Sequence, residues 1–243
     1  MKKVIMAMAK ASFCLISAAL LMFIAVTAQG TPINVPGTSD LWLAGMPDGS
    51  TASYNSGSGE PADVAPAQSP VLVSGISIVP GAMLLWTADG LVEHPGDITG
   101  PDGATWVGSY THFTGAENGI SDIQAPIDSL LGVFLGPSQP NLFSAPGALD
   151  FSTEANRDYL TLSPLLQQVF FMGDGVTSGG NQQTIIVPTG ATRMYLGTMD
   201  GFSWNNNIGS FDVTMAAVPE PATMLLLGSG LLGLWGFRKK LKR

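Results

Sequence analysis

Apolar residues along the centre of the chain fall in short runs separated by turn-forming residues. The runs are Val71–Val73, Ile76–Val79, Met83–Thr87, Thr105–Tyr110, Leu130–Leu135, Val169–Met172, Thr184–Val187, Thr192–Gly197 and Ser210–Met215. Runs of this length, closely punctuated, read as strands. The last one alternates cleanly. Phe211, Val213 and Met215 share one face, while Ser210, Asp212 and Thr214 share the other. That is the period of a half-buried antiparallel strand. Five Asp-Gly pairs mark tight turns: Asp48-Gly49, Asp89-Gly90, Asp102-Gly103, Asp174-Gly175 and Asp200-Gly201. Only Ser152 to Gln168 has a helical flavour, and Pro164 interrupts it. Residues 45–70 are rich in Gly, Ser, Pro and Ala and read as a long loop or mobile linker. No internal repeat is visible. The pattern predicts an all-β fold, an antiparallel β-sandwich.

Two longer apolar stretches flank this middle. At the N-terminus, Lys2, Lys3 and Lys10 precede the apolar run Ala11–Val26, and Val26-Thr27-Ala28 offers small residues before Gln29. This is the three-part layout of a secretory signal peptide. At the C-terminus, Ala222–Phe237 carries no charge over 16 residues and is followed by Arg238, Lys239, Lys240, Lys242 and Arg243. As a helix it would rise about 24 Å, somewhat less than a hydrocarbon core of roughly 30 Å. Local thinning and the basic residues reaching to the interface absorb such a mismatch. The basic cluster would stay cytoplasmic and leave the middle outside.

Charge sharpens the division. The net charge of the 243-residue chain is -8, but the span 29–217 holds 17 of the 18 acids against Arg157 and Arg193 alone, with no lysine. Its formal charge is therefore -15. Such a body repels phosphate backbones, so no nucleic-acid partner is expected. It suits hard cations, which prefer oxygen ligands, or it serves only to keep an exported protein soluble. The single cysteine, Cys14, lies in the N-terminal apolar run, so the middle has neither disulfides nor a cysteine metal site.

Before the C-terminal apolar segment stands Val218-Pro219-Glu220-Pro221. Two prolines hold such a linker extended, in a form that a processing protease can grip. Pro219, Glu220 and Pro221, a short apolar helix and a terminal basic cluster together resemble the PEP-CTERM sorting signal, over Val218–Arg243. The resemblance implies export across the inner membrane and transient anchoring by the C-terminal helix. It also implies processing by an exosortase and delivery to the cell envelope, outer surface or exopolysaccharide matrix. The chain then divides into a signal peptide (1–28), an N-terminal strand region with a flexible loop (29–70), a β-sandwich domain (71–217) and the sorting signal (218–243).

Within the middle, Ala191–Met215 carries the most chemistry. A strand ends at the carboxylate of Asp200, a short loop follows, and Asn205, Asn206 and Asn207 precede Gly209 and the last strand. One carboxylate with several amide oxygens suits calcium, which takes six to eight oxygens. A plain turn built from the same residues is the alternative. The segment is similar to the closing part of the calcium-dependent galactophilic lectins of bacteria, which are small β-sandwiches. In that likeness Asp200, Asn206 and Asn207 hold calcium, with Asp200 shared between ion and sugar, and Gly209-Ser210-Phe211 opens the final strand. The loop is one residue shorter here, and Ile208 stands where the family has a small polar residue. Gly100-Pro101-Asp102-Gly103 and Leu131–Gly136 sit roughly where the family has a similar turn and strand. The family's sugar-contacting histidine has two candidates, His94 and His112. Asn118 is a weaker candidate for an amide contact. Trp204, Trp86 and Trp106 offer faces for sugar stacking or for the core.

Catalysis finds little footing. Two histidines and no cysteine in the middle leave no evident nucleophile-base setting. No pair among the acids is marked out as a glycosidase pair, and zinc would want a His, Cys and carboxylate cluster. The expectation is a non-catalytic, calcium-dependent carbohydrate-binding module that meets cell-surface or extracellular polysaccharide. The alternatives are a structural or adhesive matrix protein and, more distantly, an envelope glycan hydrolase.

Overall fold

The computed structural model describes residues 32–94, 96–104 and 109–218. The signal peptide, Pro219-Glu220-Pro221, the C-terminal apolar segment and most of the expected Thr105–Tyr110 strand lie outside the described residues. Among those described, no helix is long and apolar enough to cross a membrane.

The chain is all-β. Its strands are β1 (Ile33–Pro36), β2 (Thr51–Ala52), β3 (Asp63–Val64), β4 (Val71–Leu72), β5 (Met83–His94), β6 (Asp97–Thr99), β7 (Ser109–Thr111) and β8 (Ile123–Pro126). They continue with β9 (Leu130–Leu135), β10 (Leu149–Asp150), β11 (Thr161–Leu162), β12 (Val169–Phe171), β13 (Thr184–Ile186), β14 (Arg193–Thr198) and β15 (Ile208–Ala217). One sheet runs β1-β15-β5-β13-β11 with β6 added to β5, and a second runs β12-β9-β14-β4. Smaller sheets are β10-β8-β7 and β2-β3.

Alternation dictates the inner faces. On β15, Phe211, Val213 and Met215 are buried, as the sequence period requires. They join Leu84 and Trp86 of β5 in one core with Phe134, Phe170, Met194 and Leu196 of the second sheet. Each large apolar side chain withdrawn from water contributes roughly 1.5–3 kcal/mol. β9 is buried at every position, which explains its unbroken apolar run.

Several elements differ from the sequence pattern, each for a visible reason. Asp89-Gly90 is not a turn: it lies inside β5, with Gly90 opposite Phe211 of β15. At a φ of 111°, a Cβ on Gly90 would collide with the Ser210 carbonyl oxygen. Glycine serves close strand approach here, and the long β5-β15 ladder, from Glu93↔Ile208 to Leu84↔Ala217, overrides the dipeptide's turn preference. Ile76–Val79 forms no strand. Gly75 turns the backbone to a φ of 81°, Pro80 lacks a donor, and Ile76 and Ile78 simply pack against the core. The helical stretch shrinks to one turn, Glu154–Arg157, capped by the Thr153 hydroxyl. The pairing is also not antiparallel throughout. β10-β8 and β11-β13 are parallel, which the long intervening segments 127–148 and 163–183 permit.

Residues 45–70 form a long loop with a two-strand clasp, β2-β3, and its ends are tied down. Ala52, Ser53, Asp63 and Ala65 are buried.

Candidate functional site

Four chain segments meet at one corner. β14 delivers Asp200 just past its end, and its pairing with β9 places the β8-β9 turn alongside. The amide of Met199 donates to the Ser129 carbonyl, and the amide of Asp128 donates to the Met199 carbonyl. β5 ends at His94 beside the start of β15, where Glu93 faces Ile208. The turn Trp204–Asn206 leads into β15 from the other side. His94, Phe113, Ile127, Asp200, Gly201, Phe202 and Asn206 line a cavity of about 270 Å³.

Asp200 is almost wholly enclosed, and its Oδ1 accepts the Gly201 amide at 2.6 Å. Burial pushes its carboxyl up to about 6, against the opposing pull of the Asn207 side chain, the Gly201 amide and His94. Asn206 is exposed at the rim. Asn207 turns inward, and its Nδ2 donates to the Gly37 carbonyl at 3.2 Å. Its Oδ1 is buried and has no hydrogen-bond partner in the structure. An orphaned buried acceptor costs about 1–3 kcal/mol.

Residues that sequence reasoning missed hold this corner in place. Asp128 is fully buried at a left-handed φ of 63°, and its Oδ2 accepts from His94 Nδ1 at 3.0 Å. Asp63, on β3 of the long loop, caps the asparagine turn: its Oδ2 and Oδ1 accept the Trp204 and Asn205 amides at 3.0 and 3.1 Å. Burial raises the Asp63 carboxyl to about 6 even so. Phe113 stacks on Phe202 at 5.4 Å. Nothing local marks these three, because each acts on a segment far away in sequence.

The other sequence candidates lie elsewhere. His112 is buried and stacked on Trp42 at 3.7 Å, and Trp204 tilts against both rings. Trp86 is buried in the core. None of the three offers a face to a ligand in this structure. Asn118, at a φ of 49°, spends its amide on the Trp42 and Thr51 carbonyls at 2.9 and 3.2 Å.

His112 belongs to a sealed polar cluster. Its Nδ1 donates to the Gly115 carbonyl at 2.7 Å, leaving Nε2 to face Ser53 Oγ at 2.8 Å. The same hydroxyl lies 2.7 Å from Asp40 Oδ2. The Thr114 hydroxyl lies 3.1 Å from the same Nε2, so Ser53 can donate to Asp40 while Thr114 donates to the imidazole. Burial raises the Asp40 carboxyl well above the usual range. Ser53, Asp40 and His112 are all enclosed, so this serine-histidine pair has no route to a substrate.

A second cavity, about 410 Å³, gathers Asp102, Glu154, Arg157, Asp158 and Asp174 among its lining residues. Burial, and then Asp174, raises Asp102, while the Ser178 hydroxyl and amide lower Asp158.

Comparison with protein families settles the sorting question. Residues 217–240 match the PEP-CTERM protein-sorting motif. The chain is therefore an exported protein, anchored in the membrane by its C-terminus before exosortase processes it. Among curated proteins, none matches the chain.

Proposed function

We propose that the exported body is a non-catalytic carbohydrate-binding module with calcium at the Asp200–Asn207 corner. The observation that carries the reading is the convergence of Asp200, Asn206 and His94 on one cavity, with the Asn207 side chain beside Asp200. The residues fit a hard cation. Asp200 supplies charge, and Asn206 and Asn207 supply amide oxygens. Among the described residues no three His, Cys, Asp or Glu gather for a metal, so amide and backbone oxygens would complete the set. Bound calcium would offset the buried charge of Asp200, and it would supply a Lewis-acidic centre for sugar hydroxyls. The lectin-like sandwich belongs to the same proposal. Its support is that both main sheets send side chains into one core.

The test is calorimetry of the full-length protein in mild detergent. Calcium should give a saturable isotherm that Asp200→Ala abolishes, and retention on a glycan array should then require calcium. Absence of both would favour a structural or adhesive matrix protein with no small ligand. The hydrolase alternative draws on the second cavity, where Asp102 and Asp158 are pushed in opposite directions, as an acid and its partner base would be. Polysaccharide cleavage that survives chelation and is lost in Asp102→Asn would favour it.

A further inference from the structure

We infer that Phe113 is a stacking platform that selects the apolar face of a neutral pyranose in the Asp200 cavity. This rests on the carbohydrate reading above and names its substrate class. A lone exposed phenylalanine needs no explanation, but Phe113 is held from several sides. It is 57% exposed. Its ring stacks on Phe202 at 30° between planes. Its amide donates to the Gly201 carbonyl at 3.0 Å. The ring also lies directly over Gly201, where a Cβ would come within 3.0 Å of it. Glycine at 201 is what lets the aromatic edge descend onto the Asp200 turn. The result is a rigid apolar shelf facing the same space as a carboxylate, an amide and an imidazole.

A ligand that fits must be flat and apolar on one side and rich in hydroxyls on the other. Pyranoses with a contiguous C–H face have that form, and a preset ring can meet them with little loss of freedom. Charge narrows the class. No Lys or Arg lines the cavity. The two arginines of the span 29–217 are engaged elsewhere: Arg157 Nη1 donates to the Phe151 carbonyl, and Arg193 donates to the Gly136 and Ser138 carbonyls. With no basic side chain in the wall, and with Asp200 and Asp128 opposing it, a uronate or sulfated sugar has the calcium alone to answer its charge, whereas a neutral sugar meets no such repulsion.

The experiment uses the full-length protein in calcium buffer, titrated with methyl hexopyranosides and with the matching hexuronic acids. Binding is read by calorimetry, and the contacting sugar protons by saturation-transfer NMR. The proposal expects a neutral hexopyranoside to bind with saturation concentrated on one C–H face. It expects Phe113→Ala to weaken binding about tenfold and Phe113→Trp to restore it. Phe113→Leu keeps apolar volume without a ring and should also weaken binding, which guards against a misfolded Ala variant. If both variants bind as well as wild type, the shelf is overturned while the site reading stands. Tighter binding of a hexuronic acid overturns the neutral class. If wild type binds none of these sugars, the underlying reading fails and the shelf with it.

Discussion

The two histidines of this protein sit in similar company and in opposite circumstances. His94 pairs with Asp128 and lines a cavity with Asp200 and Asn206. His112 sits with Ser53 and Asp40, yet it lies under Trp42, and nothing in that set reaches solvent. The residue types differ little. Burial separates a set that can meet a ligand from one that ties the long loop to the core. Ser53 makes the point well. With a hydroxyl 2.8 Å from an imidazole it has the makings of a nucleophile, but a closed wall leaves it as a structural strut.

The contrast can be tested from its strongest consequence to its weakest. Trp42 is fully buried, stacks on His112 and donates Nε1 to the Ser121 carbonyl at 3.1 Å. Trp42→Ala should lose about 3–5 kcal/mol in denaturant unfolding. A smaller loss would mean that the cluster is not a packed core.

Next comes the acid response of His112. Burial lowers its pKa from 6.5 to about 4, so the folded state keeps it neutral while the unfolded chain protonates. Its contribution is complete above about 6.5 and disappears as pH falls toward 4, roughly 3 kcal/mol in all. The buried carboxyls Asp40, Asp63 and Asp200, all raised, gain over the same descent. The His112 effect is therefore read as the difference between wild type and His112→Gln across that window. A difference that does not change with pH would place the ring in water.

Asp200 should respond in the opposite direction. Its folded pKa, raised to about 6, means that stability is present in acid and lost as pH rises from 3.8 through 6. In chelator at pH 8, Asp200→Asn should therefore gain about 3 kcal/mol over wild type, and the gain should vanish near pH 4. Calcium should stabilise wild type and not the variant. The smallest effect belongs to Phe113→Ala. A ring this exposed should cost about 0.5 kcal/mol or less in unfolding free energy. A large loss would show that the shelf is part of the core.

The Asp200 loop was legible because its parts are contiguous: strand, carboxylate, asparagines and strand follow one another within Ala191–Met215. β15 was legible from alternation alone, and it extends the expected Ser210–Met215 at both ends. Asp89-Gly90 misled, because a dipeptide's turn preference is local while a ladder pairs every residue of both strands. Trp204 and His112 looked like ligand contacts, because aromatic and imidazole side chains suit cores and sugars equally well.

By itself the sequence determined the export logic: a charge-segregated chain, a PEP-CTERM tail and an acidic body made of short strands. These follow from hydrophobicity, charge and proline, which act over a few residues and need no fold to be read. Only the tertiary structure decided which histidine faces the cavity, that Asp63 caps the asparagine turn and that Phe113 covers Gly201. Those facts depend on burial and on contacts between segments as distant as Asp63 and Trp204, and no local pattern encodes them.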